Sequence, residues 1–273
     1  MQTPKSILLH LDSSLRTAER VKVARQLAQT FEAEVTAMPC TLPALLQYPF
    51  AIEGAAQAMA IMQSLDKDVR DKTRAAFFAA GGDSPRMHWC EPMPDAPWAF
   101  ARRALYADLM ILGQHDADDA AVRELPPDFL PSVLVESGRP ALVLPYTGPV
   151  RAIGGTVLLA WKETREAARA VSASLPWLRR AQHVHAIAYG DAASTSLDAL
   201  NRYLEGQGVT AKLHAAGPRD AAASDHLLSF AADVGADLLV MGCYGHSRTR
   251  EWVLGGVTRT ILQSMTLPVL MAH

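Results

Sequence analysis

Three glycines near the end of the chain, Gly242, Gly245 and Gly255, are separated by two and by nine residues, and Gly256, Val257 and Thr258 follow them. A short apolar run, Leu238 to Met241, leads into the first glycine, and Val257 to Gln263 has the pattern of a helix. Glycine lets backbone N–H groups come close to an anion, and a helix N-terminus adds a partial positive charge. The spacing predicts a phosphate cradle at the C-terminal end of a buried strand that finishes at Met241. The Thr258 hydroxyl is a further donor. The competing expectation is a tight glycine loop that only packs against the rest of the protein.

Other residues invite chemistry with less support. His246, Arg248 and Arg250 lie in the same loop and have the charge to meet phosphate, although arginines in exposed loops are commonly just solvated. Cys243 sits among the glycines, where helix-start dipoles would lower a thiol pKa, or where it simply fills space. Asp116, Asp118 and Asp119 are oxygen ligands of the kind Mg²⁺ and Ca²⁺ prefer, yet they lack the glycine turn and distant Glu of a calcium loop. His183 and His185 share one face of a strand, but two histidines fall short of a zinc site. Trp161 ends a strand and offers a ring for a base or for the core. The sequence carries no Ser-His-Asp order, HExxH, Walker A, or GxGxxG after a first strand, which disfavours a Rossmann dehydrogenase.

The G-x2-G-x9-G spacing, the preceding ADLLVMG and the closing LPVLMAH occur together and in order. In this the chain resembles the universal stress protein family, whose ATP-binding members end the motif in Gly-(Ser/Thr). Gly256 departs from that hydroxyl residue, while Val257 and Thr258 again look like the family's phosphate loop. The resemblance implies ATP or a related adenine nucleotide, with Mg²⁺ as its companion. It places phosphates on Met241, Gly242, Gly245, Gly255, Gly256, Val257 and Thr258. It places the adenosine end on Ala160, Trp161 and Lys162, and on Ala188. Family members that bind ATP usually have Asp where Lys162 stands, and a Lys accepts no hydrogen bond.

These residues need a scaffold, and the chain supplies it twice. Short apolar runs alternate with helical patterns: Ser6 to Leu11, Ala33 to Met38, Arg86 to Cys90, Leu109 to Leu112 and Ala141 to Leu144, then Thr156 to Trp161, His183 to Ala188, Val209 to His214, Leu238 to Met241 and Pro268 to Met271. Strands without alternation are buried on both faces, so the expected fold is α/β, two tandem doubly wound parallel-sheet domains of the adenine nucleotide alpha hydrolase-like, Rossmann-like kind. The repeat is visible in YADLMILG around Asp108 and GADLLVMG around Asp237. The boundary is expected near Thr147-Gly148-Pro149, giving residues 1–148 and 149–273. Tandem duplication is also a known layout in the family.

The copies differ at the site. After Gly113 the first has Gln114-His115-Asp116-Ala117-Asp118-Asp119, whose carboxylates would repel a triphosphate. Asp12 keeps the acid in the first copy, where the cradle is missing, and Lys162 replaces it in the second.

Composition bounds the function. The chain has 273 residues, 49% of them hydrophobic and 20% charged, enough for a substantial core. A formal net charge of −2 argues against nucleic-acid binding by bulk electrostatics. No apolar run nears the ~20 residues of a membrane span, and MQTPKSILLHLDSS reads as a first strand rather than a targeting segment. Three scattered cysteines fit a reducing cytoplasm. The expected function is a cytoplasmic stress-response regulator that binds adenine nucleotide in its second half. The alternatives are a scaffold that meets a regulatory protein partner without nucleotide, and a slow ATP hydrolase, although no residue stands out as a base. The terminal segments of the two copies, PALVLP and PVLM, are expected to meet as edges of an intrachain pseudo-dimer. Homodimerisation through another surface stays open.

Overall fold

The computed structural model describes residues 3–47, 55–93, 97–149, 153–217, 223–244 and 256–273. Gly245, Gly255, His246, Arg248 and Arg250 lie outside the described residues. The fold is α/β with mostly parallel strands, and the chain divides into two compact units, Pro4–Ser137 and Gly138–His273.

In the first unit, β1 (Ser6–Leu11), α1 (Thr17–Phe31), β2 (Glu34–Pro39), α2 (Ala44–Gln47), α3 (Ala55–Ala79), β3 (Met87–Trp89), α4 (Ala99–Ala104) and β4 (Leu109–Gly113) follow in order. A 3₁₀ turn (Ala120–Glu124) and α5 (Phe129–Glu136) complete it. Its strands run β3-β2-β1-β4, all parallel. Ile7, Leu8, Leu9 and Leu11 are buried, as a strand covered on both faces requires. Neither the 3₁₀ turn nor α5 was expected, because Pro126, Pro127 and the acidic run before them read as loop.

The second unit holds β5 (Ala141–Leu144), β6 (Thr156–Trp161), α6 (Arg165–Leu178), β7 (His183–Tyr189), α7 (Ala193–Gly206), β8 (Lys212–Ala216), α8 (Ala223–Asp233), β9 (Leu238–Gly242), α9 (Val257–Ser264) and β10 (Val269–Ala272). The strand order is β5-β10-β9-β6-β7-β8. Every pairing is parallel except β5 with β10, which are antiparallel with Val269 opposite Val143 and Leu270 opposite Leu142. The last strand of each repeat therefore meets the other, as the two apolar terminal segments suggest. Pro176 is accommodated inside α6.

The repeated Asp has one job in both copies. Asp108 accepts hydrogen bonds from the backbone N–H groups of Lys5 (2.8 Å) and Ser6 (3.0 Å). Asp237 accepts from Gly154 (2.7 Å), Gly155 (3.0 Å) and Thr156 (3.3 Å). Each carboxylate ties the entry of its copy's first strand to the start of the fourth.

Candidate functional site

In an open parallel sheet, a crevice forms at the carboxyl ends of two neighbouring strands whose connections leave in opposite directions. In the second unit those strands are β6 and β9. From β6 the chain moves to β7 and β8, then crosses to β9 on the other side. Ala160 is opposite Met241 on β9, and Trp161 is opposite Ala188 on β7. Gly242 follows Met241 and pairs with Ala272. Ala160, Trp161, Met241, Gly242 and Ala188 thus share one end of the sheet. Lys162 follows directly and is exposed.

Gly256 is the N-cap of α9 and makes no side-chain cap hydrogen bond; Val257 is half-buried. Thr258 is buried, and its Oγ1 accepts from the backbone N–H of Tyr244 at 3.4 Å. Tyr244 has a φ of 52°, an uncommon left-handed turn for a bulky residue, just after the strand end. The start of α9 is thereby tied to the chain leaving β9.

Two candidate residues have structural explanations of their own. A Cβ on Gly242 would stand 2.5 Å from Ala167 N and 2.7 Å from Glu166 C, so the first turn of α6 lies directly against this position. Trp161 donates from Nε1 to Ser196 Oγ on α7 at 2.8 Å, which fixes its ring. Cys243 is buried, with its N–H bonded to Ala272 O, so it fills space rather than presenting a thiol to solvent.

The equivalent crevice of the first unit, between β1 and β4, is filled by the protein itself. Asp12, just past β1, forms a buried ion pair with Arg20 of α1. Its Oδ1 also accepts from Ser14 N (3.0 Å) and Thr17 Oγ1 (2.8 Å). Arg20 donates further to Thr17 Oγ1 (2.7 Å) and His10 O (3.2 Å). Its guanidinium lies where a side chain on Gly113 would have to go. Burial would raise the Asp12 pKa, but Arg20, His10 and the Ser14 and Thr17 hydrogen bonds outweigh it and hold the carboxyl well below the usual range. Burial pushes His10 down to about 4, against the pull of Asp12. Glu124 closes the same end from the 3₁₀ turn, accepting from Ser13 N at 2.9 Å and from Ser13 Oγ. Burial raises its pKa despite those bonds.

In the second copy the sequence has Lys162 and Ala170 where the repeat would place Asp12 and Arg20, and the residue lying against Gly242 is instead the buried Glu166 of α6, which pairs with the more exposed Arg165. Asp116 and Asp119 do not converge on an ion: Asp116 accepts from Asp118 N (3.0 Å), and Asp119 caps the 3₁₀ turn through Ala121 N (2.7 Å). Among the described residues, no group of three or more His, Cys, Asp or Glu could hold a metal. Sequence reasoning missed Arg20 and Glu124. The only signal for the first was an arginine beside the apolar stripe Val21, Ala24, Leu27 and Phe31.

Residues 154–273 match the universal stress protein family model. This stretch is a universal stress protein domain. The resemblance drawn from the glycines therefore holds for the second half of the chain. Among solved structures, a universal stress protein from Archaeoglobus fulgidus DSM 4304 aligns with a TM-score of 0.72 and 14% identity, covering 99% of this chain and 96% of that one. A putative universal stress protein from Pseudomonas aeruginosa UCBPP-PA14 gives a TM-score of 0.60 and 15% identity over 99% and 94%. A functionally unknown protein from Pseudomonas aeruginosa PAO1 gives 0.61 and 16% over 99% and 93%. At these identities the likeness concerns the fold, and it spans nearly the whole chain. The curated proteins contain no match. No helix among the described residues is long and apolar enough to cross a membrane.

Proposed function

We propose that the protein is a cytoplasmic stress-response regulator whose Gly138–His273 unit binds an adenine nucleotide, ATP being the leading candidate. The observation that carries this reading is the contrast between the two crevices. Asp12 and Arg20 fill the one between β1 and β4, whereas the corresponding places in the second repeat of the sequence hold Lys162 and Ala170, and only Glu166 of α6, turned to Arg165, packs against Gly242. In this reading Trp161, Ala160 and Ala188 face the nucleoside. Gly242, Gly245, Gly255, Gly256, Val257 and Thr258 surround the phosphates, and any Mg²⁺ arrives with them. Lys162 donates to a ligand oxygen where an Asp would accept from a ribose hydroxyl.

A second reading has its own support. The close approach of α6 explains Gly242 without any phosphate, and Lys162 removes an acceptor. Both fit a scaffold that meets a protein partner. Calorimetric titration of the intact chain with ATP separates the two. Binding at one site per chain, lost in Gly245→Val and kept in Asp12→Asn, is the expected result. No heat with ATP, ADP or AMP, and no nucleotide carried through native purification, would leave the scaffold reading.

A further inference from the structure

The chemistry left unused by that crevice lies at the opposite margin of the second unit's strand order. β8 pairs with β7 and ends the order. His214 of β8 is opposite Ile187 of β7, and His185 precedes Ile187 by two residues. Side chains two apart on a strand share a face, so both imidazoles project from the same side of the sheet. Their rings are nearly parallel, at 14°, and His185 Nδ1 stands 3.0 Å from His214 Nε2. Phe230 of α8 packs edge-on against His214, with ring centroids 4.8 Å apart, and limits where that ring can turn.

We propose that His185 and His214 form a two-histidine chelate for an imidazole-preferring transition-metal ion, Cu²⁺ or Ni²⁺. Two nitrogens on one ion at ~2.0–2.1 Å are roughly 2.8 Å apart in a square plane and roughly 3.3 Å apart in a tetrahedron. The observed 3.0 Å falls between these values. Imidazole nitrogen suits these metals and must be unprotonated to bind them. Burial lowers the His185 pKa, helped by His214, Lys212 and His183, and burial with Lys212 lowers that of His214.

In the metal-free protein one ring donates its N–H to the other. On binding, that proton moves to the donor ring's distal nitrogen through solvent. Both rings stay neutral, and each turns a lone pair to the ion. Neither histidine is fully buried, so water can complete the coordination. Lys212, opposite His185 on the same face, sets a positive charge beside the site and weakens it.

The test is titration of the intact chain with Cu²⁺, read by electron paramagnetic resonance, alongside calorimetry with Ni²⁺. Nitrogen splitting from two imidazoles at one ion per chain is expected. His185→Gln and His214→Gln should each weaken binding at least tenfold. His88→Gln, which removes an exposed histidine paired with Glu34 in the first unit, should leave it unchanged. Lys212→Ala keeps both ligands and should tighten binding several-fold, a test that does not depend on how the histidine variants fold. Affinity that survives the double His185→Gln/His214→Gln change would overturn the proposal. A Lys212→Ala protein that binds no tighter than its parent would overturn it too.

Discussion

At the scale of single residues, the first unit is held by charges it has taken out of water. Asp12 and Arg20 are both buried, and each satisfies the other. Removing one partner from such a pair leaves an unpaired buried charge, which costs about 3–5 kcal/mol. Arg20→Met should lower the unfolding free energy of the first unit in urea by that order, with an earlier midpoint, and Asp12→Asn in the same chain should recover part of the loss. Equal midpoints for parent and Arg20→Met would mean that the pair contributes nothing. His10 adds a pH dependence whose sign is fixed. Its folded pKa, about 4, is below the ordinary 6.5, so the folded state prefers the neutral ring. Stability from this group is complete above 6.5 and falls as the pH drops towards 4, because the unfolded chain takes up the proton first. The span corresponds to on the order of 3 kcal/mol. Asp12, with its depressed pKa, adds a second loss at still lower pH. Urea denaturation at pH 7 and pH 4.5 checks this: the gap between the two midpoints should narrow in His10→Gln. An unchanged gap would assign the acid loss elsewhere.

At the scale of elements, close approach decides which glycines are needed. The first turn of α6 leaves no room for a Cβ on Gly242, since the obstacle is backbone and cannot rotate away. Gly242→Ala should therefore push α6 off β9 and cost about 1–3 kcal/mol, as overpacking does. Gly206, the last residue of α7, has nothing within 4 Å of its would-be Cβ. Gly206→Ala should instead stabilise by about 0.5–1 kcal/mol through helix propensity. Thermal melts of the two variants test the contrast, and equal shifts would refute it. The same contrast marks what the sequence could reveal. Short apolar runs such as LLVM and TVLLA, alternating with helical patterns, read as strands buried on both faces, so the parallel α/β fold was legible. Trp161, Ala188 and Met241 were named by the family resemblance, and they lie at one end of the sheet because parallel strands finish there together. Arg20 was not legible, because an arginine on an amphipathic helix reads as exposed until its partner Asp12 is located in space. α5 was hidden by Pro126, Pro127 and Pro131. The pairing of His185 with His214 needed the β7–β8 register, which no local pattern supplies.

At the scale of the whole molecule, the last strand of the first repeat behaves as part of the second unit. β5 precedes the expected linker at Thr147 to Pro149, yet it hydrogen-bonds to β10, and the division between units falls at Ser137 and Gly138. The consequence concerns the edge of β10. All four of its residues are buried, as are those of β5, and an apolar strand edge left unpaired is a template for association. A fragment of residues 149–273 would present that edge bare, whereas residues 138–273 bring β5 to cover it. We therefore expect the longer fragment to melt at the higher temperature and the shorter one to dimerise through β10 or to aggregate. In the intact chain, Val269→Asp places a charge opposite Val143 in the same ladder and should lower stability sharply, since an ionised carboxylate there has no partner in an apolar setting. If the two fragments melt together and the shorter one stays monomeric, β5 is dispensable to the second unit, and the boundary belongs at the linker that the sequence suggests.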